Sequence, residues 1–478
     1  MKKIILFIFT LVALNACKEE FLESTPYGRS VTSTFWRNAD DALSGVNAMY
    51  EPLLDEEFYG HSEQTFEICG DDFWRAGDHG EDQAIEEFVF DPGNDQLVHS
   101  YALKYDIVNR ANAVLINVPK ITMDKTLQDR ILGEAYFMRG FAHWRLHIIY
   151  GEVVVINDDD VIKDNFNKPK SSLEEVRKAI EADWLKAASL LPATHGAKDL
   201  GRPTSGTANG FLAKLYLYSD NLAKTLEFGQ KVISGPYPLA TNYNANFTIA
   251  TENNPEMLFA MQGLDGWAGG TYQIYTTPRP WGGWDFHEPI QDLVDEFEAK
   301  DPRLDYTLLM PGEKVDLGGT DGVQTYDKTF SNTGYHFQKF ATWRASGGLD
   351  DGQNVPLLRT AEVYLMVAEA KIRLNGAGAG DTEINAVRKR VNMPAISSAG
   401  MTQLMHERRV ELAGEAERHQ DLMRWDRAKL IDIVAHYKKD RGQYKPSRSF
   451  QRPKHYYYAL PQREIDLSRG ILKQNSNY

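Results

Sequence analysis

Six apolar residues, Ile131, Ala135, Met138, Ala142, Leu146 and Ile149, recur at steps of 4, 3, 4, 4 and 3. Only an α-helix gathers such spacing into one stripe, so this stretch must bury one face against a neighbour. Gly151 follows as a stop signal. Ser171 or Ser172 stands three residues before Glu174 or Glu175, a capping-box spacing. It opens a second helix through Val176, Ile180, Trp184, Ala188 and Leu191 to Pro192. Thr204 to about Ser219 and Leu222 to Ser234 read as a helical hairpin, turning at Ser219-Asp220-Asn221 with the small residues Ala208 and Ala223 at the seam.

Paired antiparallel helices of this kind resemble tetratricopeptide-type units, although the full repeat consensus is absent. By that analogy, and by the family resemblance given below, the fold class expected is all-α, a scaffold of helix pairs carrying loop-rich insertions. With 478 residues, 42% of them hydrophobic, the chain can bury a large core. It divides into a helical part over 41–240, a loop-rich part over 241–355 and a second helical part over 356–478, intertwined as one globular unit. The middle part is rich in Gly, Pro, Asn and aromatics, and only Pro289 to Ala299 reads as a clear helix. A long irregular stretch inside a compact protein usually carries function. Helical pattern returns from Leu357 to Ala428, interrupted at Gly376 to Gly380 and around Pro394 to Gly400.

The net charge of −14 leaves no basic stripe, so nucleic acid is not an expected partner. Lys2 and Lys3, the apolar run Ile4 to Leu14 and Cys17 read as an export signal too short to span a bilayer. LNAC resembles a bacterial lipobox, which would make Cys17 a lipid-modified N-terminus after removal of residues 1–16, with 17–40 as its tether. Lys18-Glu19-Glu20 resembles the signals that place some Gram-negative lipoproteins on the cell surface. With Cys17 lipidated, Cys69 has no disulfide partner within the chain and reads as a small buried hydrophobe.

Glu407, Glu411 and Glu415 lie four apart, with Arg408 and Arg418 three residues from Glu411 and Glu415, and Arg418 three from Asp421. On one helix these are neighbours, and the pattern predicts ion pairs across adjacent turns rather than a catalytic pair. His143 and His147 have the i, i+4 spacing of zinc ligands, but Trp144 stands where a zincin has its glutamate, so packed histidines are expected. Asn157-Asp158-Asp159-Asp160 lacks the spaced ligands of an EF-hand loop and reads as an acidic turn. No cofactor or metal is expected.

Trp36, Trp144, Trp184 and Trp425 fall in helical pattern and belong to the core. Trp74, Trp267, Trp281, Trp284 and Trp343 fall in loop-like stretches, three of them in GLDGWAGGTYQIYTTPRPWGGWDFHEP (263–289) beside Tyr272, Tyr275 and Phe286. Two readings stand for these rings: platforms for the apolar face of a sugar, or anchors that fix the loop to the body. On the first, Asp71, Asp72, Arg75, Asp285 and His287 are placed to hydrogen-bond hydroxyls.

The chain resembles the SusD/RagB family of outer-membrane nutrient-binding lipoproteins. The resemblance runs through GEAYFMRGFAHWRLHIIYGEVVVI (133–156), VDEFEAKDPRLD (294–305), LLRTAEVYLMVAEA, INAVRKRV, ERRVELAGEAERHQDLMRW and LPQREIDLSRGILKQNSNY, in the family's order. It departs at Ala459-Leu460-Pro461, where the family has a Pro-Ile-Pro-like step, and at Asn477, where a glycine commonly precedes the last Tyr. It implies a non-catalytic, surface-exposed lipoprotein, lipid-anchored to the outer membrane, that binds glycans and delivers them to a SusC-like TonB-dependent transporter. The expected ligand residues are Trp74, Arg75, Asp72, Trp267, Tyr272, Trp281, Trp284 and Asp285. The alternatives are the same transport role for peptides, or a glycan hydrolase using Asp285, Glu288 or the Asp71-Asp72 pair.

Overall fold

A computed structural model describes residues 35–55, 58, 63–264, 272–318, 321–341 and 352–478. The first half is a run of helices: α1 (Ala39–Ala48), α2 (Asp95–Asn117), α3 (Lys125–Tyr150), α4 (Leu173–Leu190), α5 (Ser205–Tyr218) and α6 (Leu222–Ile233). The boundaries follow local chemistry. Ser172 and Glu175 form the capping box of α4, and Gly151 ends α3 at φ +77°, a conformation that favours glycine.

Strands are short and paired in twos: β1 (Phe73–Arg75), β2 (Met257–Met261), β3 (His287–Pro289), β4 (Leu308–Leu309), β5 (Lys314–Asp316), β6 (Val323–Thr325), β7 (His336–Phe337) and β8 (Val355–Arg359). All pairings are antiparallel, β1 with β3, β2 with β8, β4 with β7 and β5 with β6. Helices resume as α7 (Thr360–Asn375), α8 (Asp381–Arg390), α9 (Met401–Leu412) and α10 (Arg418–Arg427). The molecule is thus mostly helical, as its sequence periodicity requires.

From α1 to α7 each of these helices packs on the next, and α7 in turn meets α8 and α9. Close approach is secured by glycine. A Cβ on Gly140 of α3 would lie 2.7 Å from Nε1 of Trp184 on α4, which donates to the carbonyl of Phe137. A Cβ on Gly229 of α6 would lie 2.4 Å from a methyl of the buried Val367 on α7. Gly229→Ala should therefore destabilise the fold by about 1–3 kcal/mol, and Val367→Ala in the same chain should relieve part of that loss in a double-mutant unfolding cycle.

Four expectations are corrected. Ala223 is exposed, and the seam of the hairpin is made by Thr225, Phe228, Gly229 and Val232. The helix expected over Pro289 to Ala299 is only Gln291–Val294, because Pro289 belongs to β3. Leu357 lies in β8, and the 407–425 block is two helices, not one. Gly414 at φ +77° and Ala416 at φ +61° break it.

Candidate functional site

The charged block is internal bracing, but most of its partners come from elsewhere in the chain. Arg303 meets Asp301, Glu407 and Glu411, Arg359 meets Glu256, Glu411 and Glu415, and Lys339 meets Glu415. Arg409 reaches Asp72 and Glu296, and Arg418 reaches Asp71. None of the three-residue pairs foreseen from the sequence forms: Arg408 turns to Asp421, and the pair at that spacing is Arg424 with Asp421. Glu411 is held well below the ordinary carboxylate range and Glu415 below its usual value: burial alone would raise both, and the cations around them, Arg390, Arg359 and Arg303 for the first and Arg359 and Lys339 for the second, outweigh it.

The remaining titratable candidates are structural. Burial lowers His143 and His147 to about 3, and His147 Nε2 accepts from Arg177, so the i, i+4 pair is packed rather than ligating. Cys69 is buried against Tyr458, with its thiol pushed up to about 12 by desolvation. Asn157 and Asp160 close a capping box. Among the described residues one trio, Glu298, His406 and Glu407, converges closely enough to suit a metal ion. Arg388 already bridges its two carboxylates.

A cleft of about 940 Å³ opens elsewhere, walled by three segments: Trp74 with Gly77, Asp78 and His79; Arg279 with Gly283, Trp284, Asp285 and Phe286; and Thr329 to Asn332. The β1–β3 ribbon joins the first two, pairing Trp74 with Glu288. The second segment is a tight reversal. Gly282 adopts φ +90°, and a Cβ on Gly283 would lie 2.1 Å from the carbonyl of Thr277. Backbone bonds from Trp284 N to Ile274 O and Phe286 N to Tyr275 O hold the turn in place. The Trp284 ring, 36% exposed, stands at 90° to Tyr275 and tilts against Phe286. Trp74 leans on Tyr444, and the guanidinium of Arg75 lies 4.1 Å over the Phe286 ring. The result is a partly exposed aromatic floor rimmed by polar groups.

Two models that together span most of the chain match it. One, described as the SusD family, matches residues 242–478, and the other, described as starch-binding associating with outer membrane, matches 20–217. The chain belongs to the SusD/RagB-like family. A SusD-like protein of Bacteroides ovatus is 28% identical, covering 91% of this chain and 84% of its own. The crystal structure of a SusD-like protein from Bacteroides fragilis superposes with a TM-score of 0.82 at 21% identity, covering 95% of this chain and all of that one. A structure described as a laminarin binding SusD-like protein superposes with a TM-score of 0.75 at 25% identity, over 93% and 100%.

In this SusD-family chain, Trp74, Trp284 and Asp285 line the cleft. Trp281 does not. It is buried with Tyr326 and Phe330, one layer beneath the rim. Asp72 is bound to Arg409, and Arg75 pairs with Asp82 beneath Phe286, so both brace the cleft from inside the body. Cys17, Trp267 and the Tyr272 side chain lie outside the described residues. Sequence reasoning missed Arg279, the Gly77–His79 turn and the Thr329–Asn332 loop. The loop's only sequence signal was the turn-rich run SNTG (331–334), and nothing local said which wall it would meet.

Proposed function

We propose that this SusD-family chain is a non-catalytic glycan-binding protein of the outer membrane, anchored by a lipid on Cys17, that hands its cargo to a TonB-dependent transporter. The observation that carries the reading is the cleft itself: the Trp74 and Trp284 rings stand beside polar groups, a pairing that suits the apolar face and the hydroxyls of a pyranose. One matching family model is described as starch-binding, and a similar structure as laminarin binding. A binding role also fits the acids. Glycosidases set two carboxylates on opposite sides of the scissile bond. Here Glu288 lies behind Asp285, occupied by Asn332 and the backbone N–H of Thr333.

Titration calorimetry with laminarin and soluble starch tests the reading. Each of Trp74→Ala and Trp284→Ala should weaken binding of the preferred polysaccharide about two- to tenfold, since a stacked ring contributes about 0.5–1.5 kcal/mol beyond its burial. Unchanged affinity in the double variant would refute the site, and new reducing ends after prolonged incubation would refute the non-catalytic role.

A further inference from the structure

Buried carboxylates in this chain almost always face a guanidinium or an ammonium. Among the described residues the exceptions are Glu67, Asp285 and Glu288, which have no arginine or lysine within salt-bridge distance. Glu67 does not line the cleft, whereas Asp285 forms part of it. Asp285 is only 3% exposed, and its Oδ1 lies 2.7 Å from Nε2 of His336 on β7. The contact is close enough for a hydrogen bond but misaligned for one, so neither atom is satisfied. Glu288 is fully buried behind it and fixes the loop that brings Ser331 and Asn332 to the rim.

We propose that Asp285 and Glu288, buried with no arginine or lysine to balance them, each keep a proton, so that Asp285 meets the cleft as a neutral carboxylic acid and donates a hydrogen bond to an oxygen of the bound glycan. The inference rests on the glycan-binding reading of the cleft. It makes Asp285 a specificity residue, favouring ligands that present an acceptor oxygen there over those that present an ammonium.

The surroundings are consistent from every side. Asp285 faces Glu288 and His287 on the β3 ribbon, His336 and Tyr326 on the opposing wall, Arg279 on its own turn, and Asp78 and His79 across the cleft. Arg279 bonds the carbonyl of Trp284 through Nε and makes no salt bridge to Asp285. Burial pushes both carboxyls up to about 7, Glu288 further opposed by the charge of Asp285, while burial lowers His336 to about 4. Between those values a neutral imidazole faces a protonated acid pair.

Asp285→Asn is the informative variant, because an amide keeps a donor at every pH and Asn tolerates the φ of +56° at this position. Wild-type affinity for laminarin or soluble starch, whichever binds, should fall at least fivefold from pH 5.5 to pH 8.5, and that of Asp285→Asn should stay level. Level wild-type affinity, or a pH dependence surviving in the variant, would overturn the proposal while leaving the glycan reading intact. If neither polysaccharide binds at either pH, the glycan reading fails instead, and a ligand-free measurement then decides the proton. In urea unfolding, the midpoint of Glu288→Gln relative to wild type should rise from pH 5.5 to pH 8.5, because the wild-type pair becomes charged and any cost to the Asn332 and Thr333 bonds is independent of pH. An unchanged difference would mean the pair holds no proton.

Discussion

Arg359→Met should destabilise the fold by about 3–5 kcal/mol in chemical unfolding, the largest single-site effect in the lattice. Arg359 is almost fully buried and meets three carboxylates, Glu256, Glu411 and Glu415, and it also donates to the carbonyl of Glu411. Methionine fills much of the space but leaves those charges short of a partner. Arg390 and Arg303 still reach Glu411, and Lys339 still reaches Glu415, so the loss falls below that of stripping the carboxylates of every cation. A loss under about 1 kcal/mol would mean that the remaining cations suffice. Replacing Arg359, Lys339, Glu411 and Glu415 together with apolar residues should restore much of the stability, since removing a buried ionic group whole is far less costly than halving it.

Acid should unfold the protein through the same lattice. Glu411, Glu415, Asp421 and Asp71 are all held below their ordinary values by adjacent arginines, working against burial. A depressed carboxylate stabilises the fold above its unfolded pKa, and that contribution is lost as pH falls through the folded one. Stability should therefore drop by several kcal/mol between about pH 5 and pH 2, where the unfolded chain takes up protons that the native lattice refuses. Asp285 and Glu288 act with the opposite sign. Their raised values mean that they weaken the fold as pH rises through about 7. Urea midpoints measured from pH 2 to pH 9 should pass through a maximum, and Glu288→Gln should flatten only the alkaline side.

The helical scaffold was legible in the sequence because its signals are local. The 131–149 stripe, the Ser172 capping box and the stop at Gly151 involve residues no more than a few turns apart. The 407–425 block was half legible. Its charges do neutralise one another in a structural lattice, but acids four apart attract whichever cation the fold delivers, and Arg303, Lys339 and Arg359 arrive from 50 to 110 residues upstream in the sequence. Gly414 was visible as a helix breaker, yet the regular charge spacing on both sides masked it. The cleft was legible as a region and not as a surface. Trp281 and Trp284 stand three residues apart in similar company, and only the reversal at Gly282 and Gly283 sends one inward and leaves the other at the rim.

The contact of Arg409 with Asp72 has a consequence for how such a chain can diversify. Asp72 immediately precedes the strand that carries Trp74, so one wall of the cleft is pinned by the lattice itself. The ion pairs of the lattice close among buried residues of the body and draw on none of the rim side chains. Exposed rim residues such as Asp78 take no part in the lattice and can drift at little folding cost, so a lineage can exchange one cargo for another by rewriting a few rim positions on an inherited frame.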